Sequence, residues 1–314
     1  MSNDTVISNP SKWMEGLPAA KWNYPLQSLA IPGSHDSCSF SLRKDLEISP
    51  AESKWLKALA FLFGKRVKSI VYNWSVTQTY NAYQQLSSGV RYLDLRVALR
   101  PKDGMFRVVH GLYGAPLTEI MQQVKQFITE CPKEIVILDF NHFYNMNQSD
   151  HLKFSNSIKS AFGKHLRPPG KQGVTVTLKE LWDNHQNILV FYNNHEIVSQ
   201  NKCFWSDSQI YSPWANTADT TTLLKFLNTE TESHNLPKDA MHVAQALLSP
   251  NVSVLLGHLT SSLKDTLALK ATALVTSWLN QIYGDKNHKF NIIIADFIEY
   301  DEYTSTVIKW NYCS

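Results

Sequence analysis

The chain has 314 residues, of which 43% are hydrophobic and 18% are charged, and its formal net charge is +3. These proportions indicate a folded globular protein with a sizeable core, and they exclude a low-complexity or highly charged disordered chain. The weak positive charge does not indicate nucleic-acid binding, but it suits an anionic substrate or an anionic membrane surface.

The N-terminal part of the chain divides into an arm and a first strand. Residues 1–27 carry three prolines and two tryptophans, which predicts an arm packed across one end of the fold. Residues 28–314 show no linker-like change in composition and are predicted to form one domain. Within it, a short apolar run ends at Pro32 and Gly33, and His35 and Asp36 follow in the loop. On its own, such a His-Asp pair is more often an ordinary loop feature than a proton-transfer site.

Residues 53–68 form an apolar and aromatic segment with a basic end, and we expect it to be helical. Its large apolar residues cover more of the helix circumference than one buried stripe requires. A buried core helix is the favoured interpretation. The alternative is a membrane-contacting helix, whose contact residues would be Trp55, Phe61 and Phe63.

The next two elements are a helix over 78–86, ended by Gly89, and a strand over 91–97. The alternation in this strand places Tyr92, Asp94 and Arg96 on one face and apolar residues on the other. Opposite charges that face the interior of a fold need a partner or a function. A purely structural ion pair is the alternative.

The remainder of the chain alternates between predicted strands and helices. A strand over 106–111 contains His110, apolar spacing predicts a helix from Leu117 onward, and a buried strand over 134–141 follows. This strand-helix-strand order indicates a parallel sheet. The later predictions are a helix over 152–162, a strand over 187–192, an aromatic loop (Phe204, Trp205, Tyr211, Pro213, Trp214), a helix capped by Asp219, a weaker strand over 241–248, a helix over 263–283 ended by Gly284, and a strand over 291–297 with Asp296 near its end.

This order predicts the α/β class, with one (β/α) barrel whose site lies at the C-terminal ends of the strands. An open doubly wound sheet is the competing architecture, but the sequence contains no glycine-rich phosphate loop to support it. Four widely spaced cysteines predict reduced thiols. With no signal peptide and no run of about 20 apolar residues, we expect a cytoplasmic protein.

Five polar residues fall at or near the ends of predicted strands: His35, Asp36, Arg96, His110 and Asp296. Closure of a barrel would bring the first and last strands together, so Asp296 could reach His35. Cleavage of a phosphodiester by a hydroxyl needs a base, an acid and a fixed cation, which two histidines and an arginine supply. A carboxylate beside each histidine would fix its tautomer and favour its charged form.

The segments 29–37, 89–97, 110–112, 137–144 and 294–297 together resemble the phosphatidylinositol-specific phospholipase C X-domain. More closely, the chain is similar to the small X-domain-only proteins, the phosphatidylinositol-specific phospholipase C X domain-containing family. The resemblance runs in order from about Trp13 to the C-terminus. It implies a single distorted TIM-type barrel that cleaves inositol lipids at a membrane surface.

The resemblance also implies a role for each residue. His35 would be the general base for the inositol 2-hydroxyl with Asp296 as its partner, and His110 would be the general acid. Asp36 would assist His110, while Arg96 would hold the phosphate. Asp94, Asn141 and Tyr192 would line the substrate site. At Asn141 the bacterial enzymes have a lysine that contacts substrate, and the basic residue expected near Tyr192 is missing.

The same resemblance implies that no metal cofactor is needed. In the large eukaryotic enzymes the 93–97 segment carries two acidic calcium ligands and another lies at the Asn141 position, whereas Arg96 and Asn141 stand at two of those places here. We therefore expect a calcium-independent phosphodiesterase with phosphoinositide lipids as partners. Two other classes remain open. One is a barrel that binds inositol lipids or proteins without turnover, and the other is a metal-dependent phosphodiesterase with His35, Asp36 and Asp94 near a cation.

Overall fold

The computed structural model describes residues 9–170, 173–232 and 238–312, apart from the side chains of Trp55 and Leu59. The strands are β1 (Ile31–Ser34), β2 (Tyr92–Arg100), β3 (Met105–His110), β4 (Leu112–Pro116), β5 (Val136–Tyr144), β6 (Ile188–Tyr192), β7 (Trp205–Ser206), β8 (Ile210–Tyr211), β9 (Met241–Gln245) and β10 (Ile292–Ala295). The α-helices are α1 (Lys54–Phe63), α2 (Lys65–Ser75), α3 (Ala82–Ser87), α4 (Leu117–Glu130), α5 (Gln148–Phe162), α6 (Leu178–Asp183), α7 (His195–Gln200), α8 (Thr220–Glu230), α9 (Val252–Gly257), α10 (Leu269–Gln281) and α11 (Tyr303–Lys309).

Eight parallel strands form the barrel, in the order β7-β6-β5-β2-β1-β10-β9-β8. The first strand in sequence lies beside the last, with Ser34 of β1 opposite Ala295 of β10. Among the described residues, β7 and β8 do not pair with each other, so the barrel is open at that point. The predicted TIM-type α/β barrel is confirmed.

One prediction about the sheet is wrong. The strand that contains His110 is not a barrel strand, because β3 pairs antiparallel with β2, and β4 pairs antiparallel with β3. A short turn after Arg100 connects β2 to the hairpin of β3 and β4. The strand-helix-strand unit that crosses over in parallel fashion therefore runs from β2 to β5, with the hairpin inserted before α4.

The segment over residues 53–68 also differs from the buried core helix that its sequence favours. Gly64, with a φ of 51°, ends α1, and α2 begins at the next residue. Phe61 is 89% exposed, and Leu62 and Phe63 are also exposed at the tip of α1. The buried core helix is thus wrong for this tip, because no neighbouring element covers it within the described residues. The side chain of Trp55 lies outside the described residues.

The described part of the arm packs over the N-terminal end of the barrel. Trp13 is 1% exposed, and its indole N–H donates to the carbonyl of Gly89. Beside it, the buried Arg91–Glu134 ion pair is closed by the backbone N–H groups of Met14 and Glu15, which donate to the Glu134 carboxylate. Apolar side chains on the inner faces of β1, β5, β6, β9 and β10 continue this cluster into the barrel.

Within the described residues, none of the helices is both long and apolar enough to cross a bilayer. Cys38, Cys131 and Cys203 are free thiols, and the fourth cysteine of the chain, Cys313, lies outside the described residues.

Candidate active site

His35 stands where β1 ends, at the C-terminal mouth of the barrel. Its backbone N–H donates to the carbonyl of Ala295 in β10, which fixes the strand end. The imidazole Nδ1 lies 2.8 Å from Oδ1 of Asp296, the first residue after β10. Since a carboxylate accepts, Nδ1 carries a proton and Nε2 faces the pocket. Barrel closure thus brings together two groups that are 261 residues apart.

Asp36 is the centre of the polar cluster. Its φ of 39° is unusual for a residue with a side chain, and its backbone N–H donates to the carboxylate of Asp94 over 2.8 Å. This conformation turns the Asp36 carboxylate into the pocket. One oxygen lies 3.2 Å from Nε2 of His35 and 3.3 Å from Nε2 of His110, and the other lies 2.6 Å from Nε of Arg96.

These contacts of Asp36 are ion pairs without well-directed hydrogen bonds. Neither oxygen of Asp36 nor Nε of Arg96 has a geometrically sound hydrogen-bond partner among the described residues, although all three are buried. Hydrogen bonding of buried polar groups is normally complete. The cluster therefore has unused hydrogen-bonding capacity at the point where the two histidines and the arginine meet.

His110 is held from behind by α2. Its Nδ1 donates to the backbone carbonyl of Ser75 over 2.7 Å, which leaves Nε2 towards Asp36. The next residue, Gly111, has a φ of 66°, and a Cβ atom there would lie 1.9 Å from Oγ of Ser75. Only glycine fits this close approach of the hairpin to α2. The rings of His35 and His110 are 6.4 Å apart between centroids, and one oxygen of Asp36 contacts Nε2 of both.

A β-bulge in β5 builds the opposite wall. The pairing of β2 with β5 shifts between Leu95 and Arg96, so that Asn141 is left without a partner across the ladder. Its amide donates to Oδ1 of Asp94 over 2.5 Å. Asp139, two residues earlier on the same face, accepts from the Tyr92 hydroxyl. The wall is therefore an acidic and amide surface suited to hydroxyl groups.

Burial and neighbouring charges shift the pKa values of the groups in this cluster in different directions. Burial alone would lower the pKa of His35, but Asp36, Asp296 and Asp94 outweigh it and raise the pKa to about 9. Burial would raise the pKa of Asp36, yet Arg96 and both histidines lower it to about 2. Burial, with help from Arg96 and His35, lowers the pKa of His110. At neutral pH the resting pocket thus holds its proton on His35, and His110 is neutral.

Asp139 is a second group whose pKa lies near neutrality. Burial, reinforced by the charge of Asp94, raises its pKa to about 7, while hydrogen bonds from Tyr92 and Asn141 oppose the rise. A carboxyl group of this kind can accept or donate a hydrogen bond to a hydroxyl near neutral pH.

One group of ligand atoms could hold a metal ion. Atoms of His35, Asp36 and Asp94 lie within 4.8 Å of one another. However, the Arg96 guanidinium is already in contact with the Asp36 carboxylate at 2.6 Å, and its fixed charge would oppose a divalent cation there. The donor set therefore fits a site whose cation is the arginine better than a site that binds calcium.

The structure gathers most of the predicted site residues around one pocket of about 320 Å³. His35, Asp94, Arg96 and Asn141 line it directly, while Asp36, His110 and Asp296 contact that group. The interpretation of Asp94 and Arg96 as an isolated structural ion pair is not supported, because Arg96 pairs with Asp36 instead.

Tyr192 does not belong to this pocket, so its assignment as a substrate-binding residue is wrong. It is 0% exposed, and its hydroxyl is bonded to Nδ1 of His151 over 2.9 Å. In β6 it is Phe191 that faces the barrel interior, and Tyr192 packs between the strands and the helices. Neighbouring residues of a strand point to opposite faces of the sheet. In a strand of only apolar residues, no alternation indicates which face is inward.

Several pocket residues were missed by sequence reasoning. They are Asp139, His142, Asn193, Asp207 and Gln245. Asp139 carries a signal that could have revealed it, since it is a charged residue inside an otherwise apolar strand and shares a face with Asn141. His142 follows the bulge in β5, and Asp207 directly follows the two-residue strand β7.

Comparisons with known proteins identify the family of the chain. Residues 69–194 match the family profile described as "Phosphatidylinositol-specific phospholipase C, X domain". The chain is 34% identical to PI-PLC X domain-containing protein 3 of Homo sapiens over 96% of this chain and 93% of that protein. It is 37% identical to PI-PLC X domain-containing protein 2 of Mus musculus over 95% of this chain and 87% of that protein.

Solved structures show the same fold at lower identity. The phosphatidylinositol-specific phospholipase C from Listeria monocytogenes superimposes with a TM-score of 0.69 at 20% identity, covering 96% of this chain and 98% of that one. A Staphylococcus aureus phosphatidylinositol-specific phospholipase C gives 0.68 at 20% identity over 96% and 98% of the two chains. The barrel is thus phospholipase-like, and the chain belongs to the PI-PLC X domain-containing protein family.

Proposed function

We propose that the protein is a metal-independent phosphodiesterase that cleaves phosphatidylinositol-type lipids. The observation that carries this proposal is the position of the Asp36 carboxylate, which contacts both histidines and Arg96 at one side of a polar pocket. A base, an acid and a fixed cation within reach of one phosphate are the groups that this reaction requires.

In the proposed reaction the 2-hydroxyl oxygen of inositol attacks its own phosphorus. His35 takes the hydroxyl proton and Asp296 stabilises the resulting imidazolium. The phosphorus–oxygen bond to glycerol breaks, His110 protonates the leaving oxygen, and diacylglycerol departs. The other product is an inositol cyclic phosphate, which water opens when the two histidines exchange roles. Arg96 stabilises the phosphate charge throughout.

The resting pocket holds the single proton that this step needs, but it holds the proton on His35. The proposed roles require that the proton lies on His110 when the substrate reacts. A phosphodiester anion at Arg96 would offset the guanidinium charge that helps to lower the pKa of His110. Substrate binding would therefore favour the acid form of His110, and the transfer of the proton away from His35 is a further part of the proposal.

The charge of the pocket indicates which headgroup is preferred. Arg96 is the only lysine or arginine among the described residues that line it, whereas three aspartates do so. Phosphates on other inositol hydroxyls would meet carboxylates instead of cations. We therefore infer a preference for phosphatidylinositol over its polyphosphorylated forms, with Asp94 and Asn141 bonded to inositol hydroxyls.

Membrane contact is proposed through the tip of α1. Phe61 and Phe63 are exposed there, and Lys65 and Arg66 follow in α2, so an apolar tip lies beside basic side chains. This combination suits a leaflet that contains anionic lipids. The loop between β1 and α1 starts at the mouth of the pocket, and the end of α2 contacts His110 through the carbonyl of Ser75, which supports a tip on the same side as the pocket. We propose a peripheral position at a cytoplasmic membrane surface.

A barrel that binds inositol lipids or proteins with little or no turnover is the second candidate. It is favoured by Asn141, which offers an amide where the resembling bacterial enzymes have a cationic lysine, and by the proton that His35 retains at rest. The two candidates differ in a measurable way, since lipid binding alone does not require either imidazole to transfer a proton.

Turnover of phosphatidylinositol vesicles in the presence of a chelator separates these candidates. We expect release of water-soluble phosphate that falls by at least about a hundredfold in His35→Ala and in His110→Ala, because general acid–base catalysis contributes roughly that much. Vesicle binding should persist in both variants. Vesicle binding without any histidine-dependent turnover would favour the second candidate, and activity only with an added divalent ion would favour a metal-dependent enzyme.

A further inference from the structure

A second cavity lies at the opposite end of the barrel from the catalytic pocket. It has a volume of about 910 Å³ and is bordered by the segments that precede β1, β9 and β10, together with the end of the chain after α11. Because the strands are parallel, the segments before them lie away from the mouth that holds His35. Nothing in the proposed reaction uses this cavity.

Four described residues that border this cavity carry buried polar atoms without hydrogen-bond partners. Among the described residues, Oε1 of Gln27, Oδ1 of Asn291, Nε1 of Trp310 and both ring nitrogens of His242 are buried without a hydrogen-bond partner, and all four residues line the cavity. An unmade hydrogen bond at a buried polar group costs about 1–3 kcal/mol. A ligand that supplies those bonds would therefore be stabilised.

The orientation of two of these groups is fixed. The amide of Asn291 donates to the backbone carbonyls of Leu26 and Leu29 over 3.1 Å each, so the unpartnered atom is an acceptor oxygen. His242 is 2% exposed and stacks on Tyr211, and its Nε2 lies 4.0 Å from the carboxylate of Glu230, which lies outside the cavity. Burial lowers the pKa of His242 to about 4, so its ring is neutral and offers one donor and one acceptor. These donor and acceptor groups therefore match a ligand that carries hydroxyl groups.

The rim of the cavity is cationic. Four lysines line it, and Asp285 is the one carboxylate among its described lining residues; the lysines are Lys21, Lys238, Lys286 and Lys289. No ion pair joins any of these lysines to a carboxylate of the described residues at 4 Å or less. An anionic group at the rim and hydroxyl groups at the wall would together satisfy the site.

From this arrangement we infer that the cavity is a second binding site, separate from the catalytic pocket, for a soluble phosphorylated polyol. The phosphate would lie among the rim lysines, and the hydroxyls would donate to Gln27 and Asn291 while accepting from Trp310. The choice of a free molecule rests on the proposed membrane contact, because a lipid in a membrane that faced the catalytic mouth would not reach this end of the barrel.

The test follows the Trp310 indole N–H by nuclear magnetic resonance in the ¹⁵N-labelled full-length chain, with the signal assigned from Trp310→Phe. We expect inositol 1-phosphate to shift this signal, with inorganic phosphate and myo-inositol each binding about tenfold more weakly, since each makes only part of the contacts. Lys286→Ala with Lys289→Ala should weaken binding about tenfold. Lys125→Ala with Lys202→Ala removes the same charge elsewhere and should have no effect.

Four results would overturn this inference. They are the absence of any shift of the Trp310 signal with inositol 1-phosphate, equal affinity for inorganic phosphate, unchanged affinity in the Lys286→Ala, Lys289→Ala variant, and a shift that occurs only with phosphatidylinositol vesicles. Because the readout is a shift at Trp310 and not turnover, it stands or falls independently of the proposed phosphodiesterase activity.

Discussion

At the scale of single residues, Asp36 explains most of the behaviour of the site. Its carboxylate contacts two imidazoles and a guanidinium, and its backbone N–H is bonded to Asp94, so one residue sets both the charge and the geometry of the pocket. The unusual backbone angle of Asp36 is maintained by this bond, as is common where local strain is part of a functional site.

The raised pKa of His35 makes a prediction about stability. A protonated imidazole between Asp36 and Asp296 stabilises the folded state below its ordinary pKa of 6.5, and that contribution is lost as the pH rises towards its folded value of about 9. His35→Gln should therefore be less stable than the native chain near pH 6, by on the order of 3 kcal/mol, and the difference should narrow as the pH approaches 9.

The free energy of unfolding in urea, measured at several pH values for both proteins, tests this. A stability difference that stays constant over that range would contradict the raised pKa. Asp36 affects stability at low pH. Because its pKa is about 2 in the folded chain, the stability that its carboxylate contributes is lost only as the pH falls below about 4.

The sequence alone identifies much of the site. The alternation of Arg91 to Val97 placed Tyr92, Asp94 and Arg96 on one face correctly, because polar and apolar side chains alternate there. In Ile188 to Tyr192 every residue is apolar or aromatic, so the inward face could not be chosen and Tyr192 was placed wrongly. Asp139 was overlooked although a charge inside an apolar strand is a recognisable signal.

At the scale of elements, the site depends on how closely the β3–β4 hairpin approaches α2. Gly111 touches Ser75, and the carbonyl of Ser75 holds His110. A helix backbone, rather than a side chain, thus fixes the tautomer of the proposed acid. The antiparallel hairpin was not predicted because a strand followed by a helix and another strand has the same local pattern whether or not it crosses over in parallel.

Gly111→Ala should reduce turnover strongly. Its methyl group would lie 1.9 Å from Oγ of Ser75, so either α2 or His110 must move. Gly104→Ala is the matched control, because its φ of 65° imposes the same backbone strain while nothing lies within 4 Å of the added methyl group. Both variants are assayed on phosphatidylinositol vesicles, with circular dichroism to confirm folding. Equal losses would show that backbone strain, not the contact with Ser75, matters.

The tip of α1 makes a prediction about membrane binding. Replacing Phe61 and Phe63 by serine should weaken vesicle binding by about tenfold or more, since each phenylalanine contributes roughly 1.5–3 kcal/mol when fully buried and the tip inserts only partly. Leu152→Ser, at an exposed position of α5, is the control and should bind normally. Sedimentation with vesicles of phosphatidylinositol and phosphatidylcholine measures the difference. Unchanged vesicle binding of the phenylalanine variant would contradict membrane contact through the tip of α1.

At the scale of the whole molecule, barrel closure brings His35 to Asp296, and the arm packs over part of the N-terminal end. Alternating strands and helices were sufficient to predict a barrel and the end at which the polar cluster lies. They were not sufficient to predict the opening between β7 and β8, because two-residue strands carry no periodic signal. Asp207, which follows β7, lines the pocket.

The arm should contribute substantially to stability. Trp13→Ala removes a fully buried indole and its hydrogen bond to Gly89, and we expect a loss of about 3–5 kcal/mol in the free energy of unfolding. Trp214→Ala is the control, because Trp214 is 52% exposed and should cost about 0.5 kcal/mol or less. Urea unfolding compares them, and similar values for both variants would contradict the packing of the arm as described.

In the proposed reaction a His–Asp–Arg site cleaves inositol lipids by internal attack without a metal. Phosphorus nuclear magnetic resonance of the products formed from phosphatidylinositol vesicles with excess chelator tests it most directly. The account predicts a five-membered cyclic phosphodiester signal that appears before inositol phosphate and is absent with His35→Ala. A reaction that yields inositol phosphate without the cyclic intermediate, or no phosphorus product from the native chain, would contradict it.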